Sequence, residues 1–152
     1  MDRSLTPIGW REWLALPDLG IAHIKAKVDT GARTSALHAF AVKPYAQHGT
    51  PRVRFSVHPW QKRRDLVAHC DAAVVDRRWV RDSGGHRERR YVIETLATLG
   101  DQQWTIELTL TDRENMLFRL LLGRGALEQR FIVVPDESYL LGPRPPLEQQ
   151  HR

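Results

Sequence analysis

The sequence is poor in the features that mark disulfide-rich, metal-finger and membrane proteins. Cys70 is the single cysteine among 152 residues, which excludes an intrachain disulfide and any zinc site built from cysteines alone. No apolar stretch approaches the roughly 18 residues of a membrane-spanning helix, and the N-terminus lacks the apolar run of a signal peptide. We therefore expect a cytoplasmic protein without a membrane partner.

Positive charge is concentrated in one part of the chain. The net charge is +5, yet residues 52–90 alone hold eleven basic and five acidic residues, a local charge of +6. This segment has no recognisable nucleic-acid-binding fingerprint and no aromatic residues regularly interleaved with its arginines, so nucleic acid is the least favoured partner. A solvated arginine-rich surface and a surface for an acidic partner or substrate both remain open, and the pattern favours the second.

Alternating apolar and polar residues predict a domain built from β-strands. The clearest strands are residues 21–28, 52–58 and 104–110, and shorter ones are predicted at 72–75, 90–95, 117–122 and 131–134. Residues 10–16 fit either a strand or a helical turn, residues 99–101 and 81–86 read as hairpin turns, and only residues 124–130 read as a short helix. We predict an all-β closed barrel of short strands over residues 8–142, with a flexible segment 1–7 and a disordered tail 143–152.

The sharpest local motif is Asp29-Thr30-Gly31-Ala32, directly after the predicted strand 21–28. A tight loop there can present the aspartate, the threonine hydroxyl can bond to a symmetric partner, and the glycine allows another backbone to approach. Two carboxylates about 3 Å apart cannot both ionise, so one can activate water while the other holds a proton. Because the chain has one such motif, this chemistry requires a homodimer.

A second motif, Leu122-Gly123-Arg124, ends an apolar run in the C-terminal third of the chain. In retroviral-type aspartic peptidases, a loop like that at Asp29 is followed later by an apolar-apolar-glycine-arginine segment that packs beside it, and this sequence resembles that pattern in both parts and in their order. The match extends to a bacterial retropepsin-like family long labelled "putative ATP-dependent zinc protease", also called RimB-like. The blocks that carry the resemblance are residues 8–13, 25–39, 83–93, 104–113, 118–124 and 138–142.

The sequence contains neither the zinc-binding motif nor the ATP-binding motif that the family label suggests. A zinc protease of the common kind needs two histidines one helical turn apart with a glutamate beside the first, and residues 86–90 do not match. The seven histidines are scattered, and there is no glycine-rich phosphate loop. We predict no metal and no cofactor, expect His38, His58 and His69 to be structural or surface residues, and retain a zinc protease only as a third, less favoured function.

The resemblance and the residue types together give a predicted site. Its catalytic residues are Asp29, Thr30 and Gly31, its substrate-binding residues are Ala32, Arg33, His86, Glu88 and Arg90, and its structural support is Leu122, Gly123 and Arg124. Arg33 and Arg90 could clamp substrate carboxylates, although a structural ion pair is an equal alternative for Arg33. His86 and Glu88 could contact substrate, but an exposed pair without function is slightly favoured, and Arg124 is expected to be a buried structural arginine.

The resemblance implies an aspartic peptidase that acts as a homodimer. Members of the family are associated with ATP-grasp ligases, which attach glutamate or other amino acids to proteins and peptides. It therefore implies a peptidase that processes such products, with an acidic peptide or glutamylated protein as substrate and an ATP-grasp ligase in the same pathway. The alternative is a non-catalytic binding module of the same fold that holds an acidic or nucleic-acid partner.

Overall fold

A computed structural model describes residues 4–60, 63–81, 84–113 and 117–142, so the predicted tail 143–152 lies outside the described residues. The described residues form eleven strands, a 3-10 helix at Pro17–Leu19 and one short α-helix. The elements are β1 Thr6–Ile8, β2 Arg11–Leu16, β3 Ile21–Val28, β4 Ser35–His38, β5 Phe40–Gln47, β6 Thr50–Val57, β7 Ala68–Arg81, β8 Arg87–Leu99, β9 Gln102–Thr111, β10 Leu120–Leu122, α1 Arg124–Leu127 and β11 Phe131–Val133.

Six strands close into a barrel in the order β2-β3-β10-β4-β9-β8, and Ala15 of β2 pairs with Thr98 of β8 to complete the circle. Strands β7, β6 and β5 continue the sheet outward from β8, while β1 and β11 form a separate parallel pair. The predicted all-β closed barrel with one short helix is therefore confirmed. Strands β7 and β8 are longer than predicted, with 14 and 13 residues.

The barrel interior is filled by the apolar residues that alternate along its strands. Strand β2 alternates between partly exposed and buried positions along its whole length, as a strand with one face against a core must. Ile24, Leu37, Ile93 and Leu108 are fully buried and come from four different barrel strands. Each such side chain contributes about 1.5–3 kcal/mol when it leaves water, so the interior is the main source of stability.

A buried carboxylate fastens the C-terminal segment to the barrel. Glu12 on β2 is 0% exposed, and its Oε2 accepts hydrogen bonds from the N–H groups of Gly9 at 2.7 Å and Leu140 at 2.8 Å. Its Oε1 accepts a third, from the N–H group of Leu141 at 3.2 Å. Because the carboxylate satisfies three backbone donors, it can be buried at little cost.

The position of β10 determines where the functional loop lies. β10 runs parallel to β3, with Leu122 opposite Val28, and antiparallel to β4, with Leu120 opposite Leu37. It therefore separates two strands that are neighbours in the sequence. The loop that joins β3 to β4, which begins at Asp29, must cross the end of β10.

The sequence prediction was wrong about the extent of several elements. In the predicted strand 117–122 only Leu120–Leu122 is strand. The predicted helix 124–130 ends at Leu127 because Glu128 is extended and Gln129 has a positive φ of 67°. Residues 10–16, for which a helical turn was the alternative, contain strand β2.

Three strands were not predicted at all. Strand β4 is buried at every position, so it has no alternation to detect, and β5 is mostly exposed and contains a proline. Strand β1 begins at Thr6, two residues before the predicted start of the domain at residue 8.

Candidate active site

Asp29 stands at the end of β3 in a tight, hydrogen-bonded turn. Its N–H donates to the carbonyl of Leu122 at 2.8 Å, and its own carbonyl accepts from the N–H of Ala32 at 3.2 Å. The N–H of Gly31 donates to Asp29 Oδ1 at 3.1 Å. The Asp29 side chain is partly exposed, as is Ala32, while Thr30 and Gly31 are exposed. The turn therefore fixes one carboxylate oxygen and presents the group at the surface of the barrel.

Gly123 packs against the backbone of this loop without room for a side chain. A Cβ at Gly123 would lie 2.6 Å from the carbonyl oxygen of Thr34 and 2.9 Å from that of Ala32. Its N–H donates to Ser35 Oγ at 3.0 Å. Any residue can adopt the φ of −85° at Gly123, so backbone conformation does not require a glycine there. Close packing does.

The residues that follow Gly123 hold the loop by three more hydrogen bonds. The backbone N–H of Arg124 donates to the carbonyl of Ala32 at 2.8 Å, and that of Gly125 donates to the carbonyl of Arg33 at 3.0 Å. The guanidinium of Arg124 donates to the carbonyl of Thr30 at 3.0 Å. Arg124 is exposed, which corrects the expectation of a buried arginine. Leu122, Gly123 and Arg124 all contact the Asp29 loop.

Sequence reasoning missed Ser35, although it joins both halves of the site. Ser35 is 2% exposed, its Oγ accepts from Gly123, and its carbonyl accepts from the Thr109 hydroxyl at 3.2 Å. The signal was available, since a serine immediately before a short apolar run after the Asp29 motif is a candidate for a buried hydrogen-bond acceptor.

Arg90 and Glu88 lie on the β7–β8 hairpin and pair with each other. Their ion pair measures 3.2 Å between Arg90 Nε and Glu88 Oε2, and Arg90 is only 6% exposed. The Thr111 hydroxyl also donates to Glu88 Oε2, at 3.4 Å. A buried, ion-paired guanidinium is poorly suited to clamp a substrate carboxylate, so the geometry favours a structural role for Arg90.

Two of the other predicted substrate-binding residues, Arg33 and His86, are exposed, and the third, Ala32, is partly exposed. Arg33 follows the Asp29 turn and lines a pocket with Thr34, Glu107 and Gly125. His86 lies just before β8, in the hairpin's turn region, which also contains residues outside the described part of the chain. The hairpin continues past the rest of the barrel, since β8 pairs with β9 only as far as Val92 but with β7 as far as Arg87.

Several arginines of the basic segment 52–90 form ion pairs. They join Arg52 and Arg54 to Asp71, Arg63 to Asp65, and Arg78 to Asp76 and Glu107. The Tyr45 hydroxyl, which donates a hydrogen bond to the Asp71 carboxylate, and then the Arg52 guanidinium hold the pKa of Asp71 below its usual range. These pairs leave the local charge of +6 almost unchanged, because every acid in them except Glu107 belongs to the segment itself. The exposed arginines outside these pairs are concentrated on the β7–β8 hairpin.

Two further observations concern metals and membranes. Within residues 4–60, 63–81, 84–113 and 117–142, no three histidine, cysteine, aspartate or glutamate side chains come together in a way that could hold a metal ion. In the same part of the chain, no helix has the length and apolar character needed to cross a membrane.

The closed barrel, the strand β10 between β3 and β4, and the Asp-Thr-Gly turn against Gly123 define a retropepsin-like protein. A family model described as "RimB-like: Retropepsin-like aspartic endopeptidase RimB" matches residues 7–143. The chain therefore belongs to the RimB-like family, as its sequence motifs predicted.

Curated relatives carry a different name. A "Probable alpha-L-glutamate ligase" from Shewanella pealeana is 47% identical over 141 residues, which is 93% of this chain and 31% of that protein. One from Parasynechococcus marenigrum is 45% identical over 135 residues, 89% of this chain and 29% of that protein. The chain thus spans about a third of the length of the curated relatives it matches.

Among solved structures, a protein of unknown function from Legionella pneumophila is similar to this chain. The two share 29% sequence identity with a TM-score of 0.74, and the match covers 91% of this chain and 99% of the other. The fold described above therefore extends over nearly the whole of that protein.

Proposed function

We propose that the protein is an aspartic peptidase whose active site combines Asp29 from two copies of the chain. The observation that carries this proposal is the locked turn at Asp29. The backbone on either side of its carboxylate is fixed by β10 and the residues after it, and Oδ1 accepts from Gly31. Among the described residues, no hydrogen bond is made to Oδ2, which leaves this oxygen for a water molecule or a partner carboxyl group.

The proposed reaction follows from two such carboxyl groups that share one proton. The ionised carboxylate removes a proton from water, and the water oxygen forms a bond to the carbonyl carbon of the substrate. The protonated partner donates its proton to the carbonyl oxygen. When the tetrahedral intermediate collapses, the C–N bond breaks and the departing amine takes the proton that the first carboxylate removed from water. The other carboxylate removes a proton from one hydroxyl of the intermediate, which restores the carbonyl and the shared proton, so the chemistry needs no covalent intermediate.

A dimer is required because the chain offers one Asp29 turn. Thr30 is exposed beside it and remains available for the hydroxyl contact to a symmetric partner that the sequence predicts. A two-fold axis at this turn would bring the two copies of the loop together with the same surface of each chain.

The substrate class we propose is a peptide or protein that carries added glutamate. The support is that relatives named as glutamate ligases contain a region similar to this chain, which associates the domain with proteins of that name. Exposed arginines on the β7–β8 hairpin, among them Arg77, Arg81, Arg87 and Arg89, would favour an acidic substrate.

The test is cleavage of glutamylated peptides by the wild type and by Asp29→Asn, with and without a chelator. We expect the variant to lose at least about a hundredfold in rate, because one carboxyl group cannot perform both proton transfers. Asp18→Asn, at an exposed aspartate on the 3-10 helix, is the matched control and should retain full activity. Unchanged cleavage by Asp29→Asn would refute the dyad.

Mixed dimers test the sharing of the dyad directly. When wild type and Asp29→Asn are refolded together in equal amounts, about a quarter of the dimers contain two wild-type chains, so activity per wild-type subunit should fall to about half. If each subunit worked alone, activity per wild-type subunit would not change.

The exposed arginines of the hairpin also favour a second candidate, a non-catalytic module that binds an acidic partner. Wild-type protein that binds a glutamylated peptide without cleaving it, equally well in the Asp29→Asn variant, would support this candidate in place of the peptidase.

A further inference from the structure

A second polar site lies at the other end of β4 and β10 from the Asp29 turn. At one end, the backbone N–H of Asp29 donates to the carbonyl of Leu122. At the other end, the backbone N–H of His38 donates to the carbonyl of Arg119 at 2.8 Å. A pocket of about 130 Å³ opens beside this second contact. It is lined by His38, Phe40, His58, Arg64, Asp112 and Arg119, and is called the Arg119 pocket below.

Arg119 is a buried cation, and no ion pair joins it to a carboxylate within the described part of the chain. The residue is 8% exposed, and its Nε has no hydrogen-bond partner within the described part of the chain. Burial, and then the positive charge of Arg64, lower the pKa of its guanidinium. A buried guanidinium that lacks a counter-charge is unfavourable, so a group that supplies one has a strong reason to bind.

The charges of the pocket favour an anion with a single charge. Among the lining residues that the structure describes, Arg119 and Arg64 contribute two positive charges and Asp112 one negative charge, which leaves a net charge of +1 if the histidines are neutral. A carboxylate balances this charge, whereas a phosphate monoester, with close to two negative charges, exceeds it. Asp112 would also repel the more highly charged group.

The shape of the pocket suits a planar group of this size. Its volume of about 130 Å³ equals that of roughly four water molecules, enough for a carboxylate and its methylene groups. Two of its lining residues, Phe40 and His58, stack on each other with ring centroids 4.5 Å apart and planes 18° from parallel, so part of the lining is aromatic. Guanidinium groups bind planar carboxylates through paired, charge-assisted hydrogen bonds.

We propose that the Arg119 pocket binds a carboxylate group of an acidic peptide, either a glutamate side chain or a chain end. The pocket is separate from the Asp29 turn, because Arg119 and Leu122 are three residue steps apart along extended chain, or about 10 Å. The inference does not rest on peptidase activity.

The experiment follows the Arg119 Nε–H resonance of isotope-labelled full-length protein by NMR during peptide titrations. The probes are C-terminally amidated tetraglutamate, amidated tetraglutamine, tetraglycine with a free C-terminus, and inorganic phosphate. We expect the resonance to shift with tetraglutamate, with tetraglycine, or with both, but not with tetraglutamine. A shift with tetraglutamate identifies a side-chain carboxylate as the ligand, and a shift with tetraglycine identifies the chain end. An equal response to tetraglutamine, or tighter binding of phosphate than of every carboxylate probe, would overturn the proposal.

Variants then locate the binding, with affinities for the better carboxylate probe measured by calorimetry. Arg119→Met and Arg64→Gln should each weaken binding by roughly tenfold or more. Arg54→Gln, at an exposed arginine on β6, is the control and should bind normally. If Arg119→Met does not fold, Arg64→Gln decides alone, because Arg64 is exposed. Unchanged affinity in the folded pocket variants would refute the assignment.

A further variant separates this proposal from the proposed function. Asp29→Asn should retain the full affinity of the Arg119 pocket, whether or not the wild type cleaves peptides. Loss of binding in Asp29→Asn would place the carboxylate site at the Asp29 turn and overturn the inference.

Discussion

A methyl group at Gly123 should disrupt the contact that holds the Asp29 turn. The Cβ of Gly123→Ala would stand 2.6 Å from the carbonyl oxygen and 2.7 Å from the carbonyl carbon of Thr34. These are backbone atoms within the loop and cannot rotate away as a side-chain tip would. The loop or β10 must therefore move by several tenths of an ångström, which strains the hydrogen bond from Gly123 to Ser35.

The expected cost of Gly123→Ala is about 1–3 kcal/mol, the usual range for a group inserted into a well-packed interior. For a chain of this size, each kcal/mol lowers Tm by roughly 2–4 °C, so the variant should melt about 2–12 °C below the wild type. Gly125→Ala should cost less, because its Cβ meets only the carbonyl oxygen of Arg33, at 3.0 Å. Gly142→Ala, whose Cβ would meet no atom of the described residues within 4 Å, should be neutral.

Thermal and urea unfolding of the three alanine variants, followed by circular dichroism, test this order. Equal stability of Gly123→Ala and Gly142→Ala would refute the argument that β10 and the loop are in fixed contact. Hydrogen exchange at the Asp29 amide is a second readout, because its bond to the Leu122 carbonyl should open more often in Gly123→Ala. In the proposed peptidase, the same variant should lose activity at temperatures where it remains folded.

Two further predictions concern buried groups away from the loop. Glu12→Gln replaces one of the oxygens that accept backbone N–H groups by an NH₂ group, which cannot accept a hydrogen bond. Urea unfolding should show that this variant is less stable than the wild type by about 1–3 kcal/mol. Glu128→Gln, at an exposed glutamate, is the control and should be neutral. Burial raises the pKa of the Cys70 thiol to about 11, so at pH 8 only about one in a thousand native thiols is ionised, against about one in four when unfolded. Iodoacetamide should therefore modify Cys70 at least a hundredfold faster in urea than in buffer, and equal rates would show that the thiol is not buried.

The strands that were correctly predicted from sequence have one face in the core and one in water. Strand β3 was predicted with its observed bounds, and most of β9 was predicted, because alternation is visible whenever the two faces meet different surroundings. Strand β4 is buried at all four of its positions, so both of its faces are covered. No local pattern distinguishes such a strand from other short apolar segments.

The two motifs of the site could also be found by sequence, but the partners of single charged residues could not. Gly123 and Asp29 are far apart in the chain, and their proximity was predicted only because the two motifs resemble those of retropepsin-like proteins. Arg90, which was predicted to bind substrate, is buried and paired with the exposed Glu88, a partner that the sequence does not indicate. The position of Arg119 inside the apolar run of residues 117–122 indicates a buried arginine, which the sequence analysis did not predict.

The arrangement of β10 separates binding from chemistry in the proposed peptidase. Its C-terminal end holds the Asp29 turn through Leu122 and Gly123, and its N-terminal end begins beside Arg119. A carboxylate bound by Arg119 would lie about three extended residues from the turn, too far to exchange a proton with Asp29. Such a group can determine which acidic chain is bound and how it is oriented, while the hydrolysis itself depends on the paired Asp29 carboxyl groups alone.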